Sequence, residues 1–110
     1  MSDTEKDQEF YDMANGFIAM ANKYADGIDK GKVSAAFLYA AARFNTFIVA
    51  SSAANVEEFL SFEPKAFEYM MGEYKKMLAE HFNDYGHHFK DYINPKTNNW
   101  TKAERFTLQD

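Results

Sequence analysis

The stretch VSAAFLYAAARFNTFIVASSAA, residues 33–54, decides the fold of this chain. It contains eight alanines and a single charged residue, Arg43. Apolar side chains recur at spacings of three and four, which is typical of one face of a helix. Further apolar side chains, among them Leu38, Tyr39, Ala42 and Val49, cover much of the remaining circumference. A helix that is apolar nearly all round is covered on more than one side, so we predict a central core helix over 33–54.

A membrane span is the alternative interpretation of the same stretch, since about 20 mainly apolar residues cross a bilayer. Arg43 lies near the middle, where an arginine costs about 2.5–3.5 kcal/mol on the insertion scale. Alanine contributes little to insertion, and no aromatic and basic residues flank both ends. The composition therefore favours a core helix over a membrane helix.

Two more helices are predicted on either side of this one. The first covers 3–25, with Ser2 or Asp3 as its cap, and carries one apolar stripe. The stripe consists of Phe10, Met13, Ala14, Phe17, Ile18, Ala21 and Tyr24. The third covers 64–92, with Pro64 in its first turn, and is preceded by a short helical piece near 55–60 that Asn55 caps.

These elements predict an all-α fold, a small antiparallel bundle of three main helices with an irregular C-terminal tail. The expected organisation is a single helical domain over 1–93 and a tail over 94–110. Two flanking helices leave part of the central helix uncovered. We expect a second copy, giving a homodimer, or the tail to cover it.

Charge and cysteine content exclude several classes of function. The net charge is −5 and the 12 basic residues are scattered, which disfavours binding to nucleic acid or to an anionic membrane surface. The chain has no cysteine, so disulfides, thiolate catalysis and Cys-ligated metals are excluded. The acidic N-terminus MSDTEKDQEFYD does not have the pattern of an export signal, and a cytoplasmic location is expected.

Arg43 is the first candidate site residue, with Tyr39 and Asn45 as neighbours. A guanidinium presents a planar fork of donors that binds a carboxylate or phosphate, so this group predicts an anion-binding site. The alternative is structural: an ion pair with a carboxylate on the first or third helix.

The segment EHFNDYGHHFKDY, residues 80–92, contains all three histidines and is the second candidate. On a helix, His81, Asp84 and His88 lie along one side, where their nitrogen and oxygen atoms could hold a divalent metal. The alternative is a solvated polar face with Asp84–His88 and His87–Asp91 pairs. Facing helices offer no matching carboxylates, so no cofactor is predicted.

Three phrases, ANGFIAMAN (14–22), VSAAFLYAAARFNTFIVA (33–50) and EYKKMLAEHFNDY (73–85), resemble a family of short proteobacterial proteins of unknown function. The resemblance covers nearly the whole chain up to about Tyr92. It implies a compact bacterial cytoplasmic protein and brings no activity, cofactor or catalytic residue with it.

The sequence as a whole favours a small cytoplasmic interaction protein that acts without catalysis, as a homodimer or with another protein partner. The alternative is a small metal-dependent or acid–base enzyme that uses the His81–His88 region.

Overall fold

A computed structural model of the chain describes residues 5–93. Within this range the protein is all-α, with three main helices, α1 (Gln8–Ala25), α2 (Lys30–Ser51) and α3 (Val56–His87), and a short α4 (Phe89–Tyr92). The predicted fold class and the number of main helices are confirmed. The described residues divide into two units within α2, one ending at Ala41 and the other starting at Ala42. The single domain over 1–93 stays a prediction, and the tail over 94–110 lies outside the described residues.

The first unit contains α1, a connection over 26–29 and the start of α2. Asp7 caps α1 by accepting a 2.9 Å hydrogen bond from the backbone N–H of Phe10. Residues 5–7 are not helical, so the predicted start at residue 3 is wrong for the described part of the chain. Asp7 caps the helix because its carboxylate satisfies a backbone N–H of the first turn, which has no partner within the helix.

The connection from α1 to α2 requires a glycine. Gly27 has φ 137°, a backbone conformation that side-chain-bearing residues rarely adopt. The Asp29 carboxylate then accepts a 3.0 Å hydrogen bond from the N–H of Lys32, which starts α2 at Lys30. The predicted boundaries of this helix, 33–54, are therefore three residues late at both ends. The helix starts earlier than predicted because the Asp29 cap precedes the apolar stretch.

The second unit contains the end of α2, a turn, α3 and α4. The N–H of Glu58 donates to the Asn55 side chain at 2.8 Å, and the Glu58 carboxylate accepts from the N–H of Ala54 at 2.8 Å. This reciprocal pair is a form of capping box. The predicted Asn55 cap is confirmed, but the helix that it starts is α3 itself and not a separate piece.

Pro64 lies inside α3 and not in its first turn, so the predicted start at residue 64 is wrong. A proline lacks the N–H that would donate to the Leu60 carbonyl, and it removes one hydrogen bond of the helix. The remaining bonds on both sides hold the helix together across this position. The sequence pattern predicted a helix boundary at Pro64, whereas in the structure α3 continues through Pro64 and lacks one backbone hydrogen bond there.

Apolar side chains of α2 are exposed to solvent in the single chain. Across residues 5–93 no side chain is buried, and Leu38 is 53% and Tyr39 72% exposed. The predicted burial of the central helix is therefore not met by residues of its own chain in the described range. Length and composition would also allow this helix to cross a membrane, with a mean hydropathy of 1.4 over its most apolar 18-residue window.

Candidate functional site

An open groove lies between the end of α2 and the first half of α3, within the second unit. We call it the α2–α3 groove. Its volume is about 340 Å³. It is lined by Thr46, Val49, Phe59, Glu63, Ala66, Phe67 and Met70. Glu63 is the only charged residue among them, so the groove offers mostly apolar surface.

The groove forms beside the turn over 52–55, between the last turns of α2 and the first half of α3. Ser51 and Ser52 donate their hydroxyls to the Ile48 carbonyl at 2.8 Å and 3.3 Å, which satisfies an acceptor at the end of α2. The Asn55 cap then fixes where α3 begins. On α3, the spacing from Phe59 through Glu63 to Met70 follows the helical period, so these side chains share one face.

Sequence reasoning did not identify this groove as a site. Phe67 and Met70 are part of the predicted apolar stripe of the third helix, and the default interpretation of such a stripe is core. The signal that could have found the groove is the Asn55 capping pair. It fixes the residue at which α3 begins after the end of α2.

The anion-site candidates Tyr39, Arg43 and Asn45 all lie on α2 and are exposed. No hydrogen bond or ion pair joins the side chain of any of them to another residue within 5–93. The predicted structural pairing of Arg43 with a carboxylate of its own chain is therefore not found there. Arg43 does not line the α2–α3 groove, but it precedes the lining residue Thr46 by one turn of α2.

The histidines line a second, more polar recess near the end of α3, which we call the histidine recess. Its volume is about 410 Å³. It is lined by Glu80, His81, Asn83, Asp84, His87 and His88. Arg43 does not line it, so the two candidate sites are separate.

The three predicted metal ligands, His81, Asp84 and His88, do not form a metal site. Among residues 5–93 no group of three or more His, Asp or Glu side chains is placed to hold a metal ion. The Asp84 carboxylate is engaged at both oxygens: Oδ1 is 3.1 Å from Nδ1 of His88, and Oδ2 accepts from the Tyr92 hydroxyl at 2.5 Å. The predicted Asp84–His88 pair is confirmed.

Tyr92 is a member of this cluster that sequence reasoning missed. The helix breaks at His88, which has φ −128° and ψ 34°, two residues after the weak helix former Gly86. The break turns α4 so that the Tyr92 ring stacks on Tyr85, with centroids 4.0 Å apart. The predicted third helix, 64–92, therefore ends earlier, at His87, with α4 folded separately.

The hydrogen bond between Tyr92 and Asp84 shifts the pKa values of both groups. It lowers the pKa of Asp84 below its ordinary value of 3.8, with a smaller lowering from His88 and His81. The same bond raises the pKa of Tyr92 above its ordinary 10.0, because the carboxylate accepts a hydrogen bond from the phenolic O–H and so stabilises the protonated form. Asp84 is thus a carboxylate held by local donors, which suits it for a structural role.

The His87 side chain contacts the backbone of its own helix. Its Nδ1 lies 2.8 Å from the carbonyl oxygen of Asn83. The predicted His87–Asp91 pair is not formed among the described residues. The histidine recess is accordingly organised by contacts along one helix and its terminal turn.

Comparison with known proteins places the chain in a family. The NMR structure of the protein NB7890A from Shewanella sp is 32% identical, with a TM-score of 0.65, over 83% of this chain and 95% of that chain. No curated protein matches the sequence. Residues 10–85 match the family described as protein of unknown function (DUF3144). The resemblance to a family of unknown function is confirmed, and the chain belongs to the DUF3144 family.

Proposed function

We propose that this protein is a non-enzymatic interaction module that acts as a homodimer in the cytoplasm. The observation that carries the proposal is the exposure of apolar side chains on α2. Leu38, Phe44 and Phe47 are all exposed on this helix, and no side chain within 5–93 is buried. Exposed apolar surface of this extent is rare on monomeric soluble proteins and marks an interaction site.

A second copy is the occupant that the composition favours. The eight small alanines over 33–54 allow helices to approach closely, and obligate homodimers have the most apolar interfaces. A bilayer would also cover apolar side chains. However, it would have to accommodate Arg43, for which no partner exists in the described part of the chain, at about 2.5–3.5 kcal/mol. A protein interface offers carboxylates that pair with this charge.

The alternative function, acid–base or metal chemistry in the histidine recess, is less well supported by the geometry. Catalytic carboxylates have pKa values raised toward the working pH, whereas the pKa of Asp84 is lowered by Tyr92. Both of its oxygens are already engaged by His88 and Tyr92. These contacts favour a role in holding α4 against the end of α3.

Light scattering on the purified full chain tests the proposal. We expect a mass of two chains, twice 12.7 kDa, at micromolar concentration, with no binding to lipid vesicles in a flotation assay. Leu38→Gln should shift the equilibrium toward the single chain. Lys75→Gln, a change at an exposed position of α3, is the matched control and should leave the mass unchanged. A mass of one chain, or flotation with vesicles, would overturn the proposed homodimer.

A further inference from the structure

Two apolar surfaces in this protein are uncovered at the same time, the α2–α3 groove and the stripe of α1. In the groove, Phe67 is 63% exposed. On α1, Phe17 is 64% exposed, and Met13 and Ile18 on the same stripe are exposed as well. Both surfaces cost free energy while they face water.

We propose that α1 of a second copy seats its apolar stripe in the α2–α3 groove, and that the second copy receives α1 of the first in return. The inference rests on the proposed homodimer and adds a second pair of surfaces to the exposed face of α2. An exchange of this kind is isologous, because each chain offers the same helix and the same groove. A helix lying in an apolar groove is a recurrent mode of recognition.

The groove is shorter than α1 and accommodates part of its length. With 18 residues, α1 is about 27 Å long, and the groove follows α3 from Phe59 to Met70, about 17 Å. About three turns of α1, including Met13, Phe17 and Ile18, therefore lie along the groove.

Charge sets the direction in which α1 lies. Arg43 precedes the groove residue Thr46 by one turn of α2, and its side chain has no hydrogen bond or ion pair with any residue in 5–93. Glu9, in the first turn of α1, is exposed and has no such partner in that range either. With the first turn of α1 at the end of the groove near Arg43, the second copy supplies the carboxylate that this arginine lacks in its own chain. A charge-assisted pair of this kind fixes the direction of the helix more than it adds affinity.

Cysteine cross-linking between different copies tests the arrangement, since the natural chain has no cysteine. One chain carries Met13→Cys on the α1 stripe and another carries Met70→Cys in the groove. After mixing and mild oxidation, we expect a linked dimer on a non-reducing gel. Ala19→Cys mixed with Met70→Cys is the matched control, because Ala19 is exposed on the side of α1 opposite the stripe, and it should link at least ten-fold less. Circular dichroism confirms that each variant keeps its helix content.

The outcomes separate this inference from the proposed homodimer. If the chain has the mass of a dimer but Met13→Cys and Met70→Cys link no better than the control, α1 does not bind in the groove. The inference then fails, and the proposed homodimer still holds. If the chain is a single-copy species, both fail. If Met13→Cys and Met70→Cys placed in one chain link only within that chain, α1 fills its own groove and the exchange is overturned.

Charge reversal tests the direction of α1. Arg43→Glu should raise the dissociation constant of the dimer about five-fold, as loss of an exposed ion pair does. Adding Glu9→Lys to the same chain should restore the natural value. If the double variant is weaker than Arg43→Glu alone, α1 lies in another direction.

Discussion

The exposed face of α2 is apolar, whereas the end of α3 is polar. The two regions differ in whether their side chains find contacts within the same chain. Around His88 the polar groups find partners locally: Asp84 contacts His88 and Tyr92, and the Tyr92 ring stacks on Tyr85. The apolar side chains of α2 find no cover among residues 5–93. The first region can be stable within one chain, whereas the second gains stability only when another surface covers it.

The difference follows from the range of the two kinds of interaction. Hydrogen bonds of capping residues and i, i+4 pairs are made within one or two turns, so they need no other element. Apolar burial needs a facing surface of comparable size, and it increases with the area removed from water. When the polar groups of a chain are hydrogen-bonded locally and its apolar groups are exposed, we expect the chain to associate with another chain.

The largest expected effect is the loss of the dimer when the apolar region is made polar. Phe67→Asp removes a phenyl ring from the α2–α3 groove and places a carboxylate where the second copy packs. We expect the dissociation constant to rise about 100-fold or more, equivalent to roughly 3 kcal/mol. Sedimentation equilibrium over a dilution series measures this change.

Phe82→Asp is the matched control for that variant. Phe82 is on the same helix and is 76% exposed, but it does not line the groove. We expect less than a three-fold change in the dissociation constant, on the order of 0.6 kcal/mol. Equal losses for Phe67→Asp and Phe82→Asp would mean that apolar surface in general, and not the groove, drives association.

A smaller effect is expected where a local hydrogen bond positions the apolar groove. Asn55→Ala removes the acceptor for the N–H of Glu58 at the start of α3. We expect about 1 kcal/mol less free energy of unfolding, measured by urea denaturation at a fixed chain concentration. Asn55→Asp keeps an acceptor oxygen at the cap and should lose little. If both substitutions destabilise the protein equally, the contribution of Asn55 is not that of a cap.

The sequence predicted the helices better than their boundaries or their partners. The apolar periodicity identified three helices because spacings of three and four persist through α1, α2 and α3. Pro64 misplaced the start of α3, since a proline inside a helix and a proline in a first turn leave the same local pattern. The Asp7 and Asn55 caps each depend on one side chain reaching one N–H, and several acidic or amide residues nearby could do the same.

The candidate sites were predictable only in part, because helical spacing predicts contacts only between residues three or four positions apart. Asp84 and His88 are four residues apart, so helical spacing predicted their contact. Tyr92 is eight residues from Asp84 and reaches it only because the helix breaks at His88, which no periodicity indicates. The groove joins Val49 to Phe67 across a turn, and no side chain within 5–93 pairs with Arg43.

The smallest effect is expected at the end of α3, where Tyr92→Phe removes the hydrogen bond to Asp84 and keeps the ring that stacks on Tyr85. In the natural chain, the lowered pKa of Asp84 contributes stability above pH 3.8, and this is lost as the pH falls through the lowered value. The raised pKa of Tyr92 contributes stability below pH 10.0, and this is lost as the pH rises through the raised value. The contact between α4 and α3 should therefore be constant between these limits. In Tyr92→Phe the pKa of Asp84 should rise toward 3.8 and remain below it, because His88 still contacts the carboxylate.

Carboxyl chemical shifts in an NMR titration measure the pKa of Asp84 directly. Tyr85→Phe is the matched control, since it keeps the stacked ring and leaves the hydroxyl of Tyr92 in place, and it should not move the Asp84 curve. Because this cluster is satisfied within one chain, the mass of the dimer should be the same in Tyr92→Phe and in the natural protein. A fall in mass would show that the end of α3 also belongs to the interface, and the contrast between the two regions would no longer hold. If Tyr92→Phe leaves the pKa of Asp84 unchanged, the hydrogen bond from Tyr92 is not the cause of the lowered pKa.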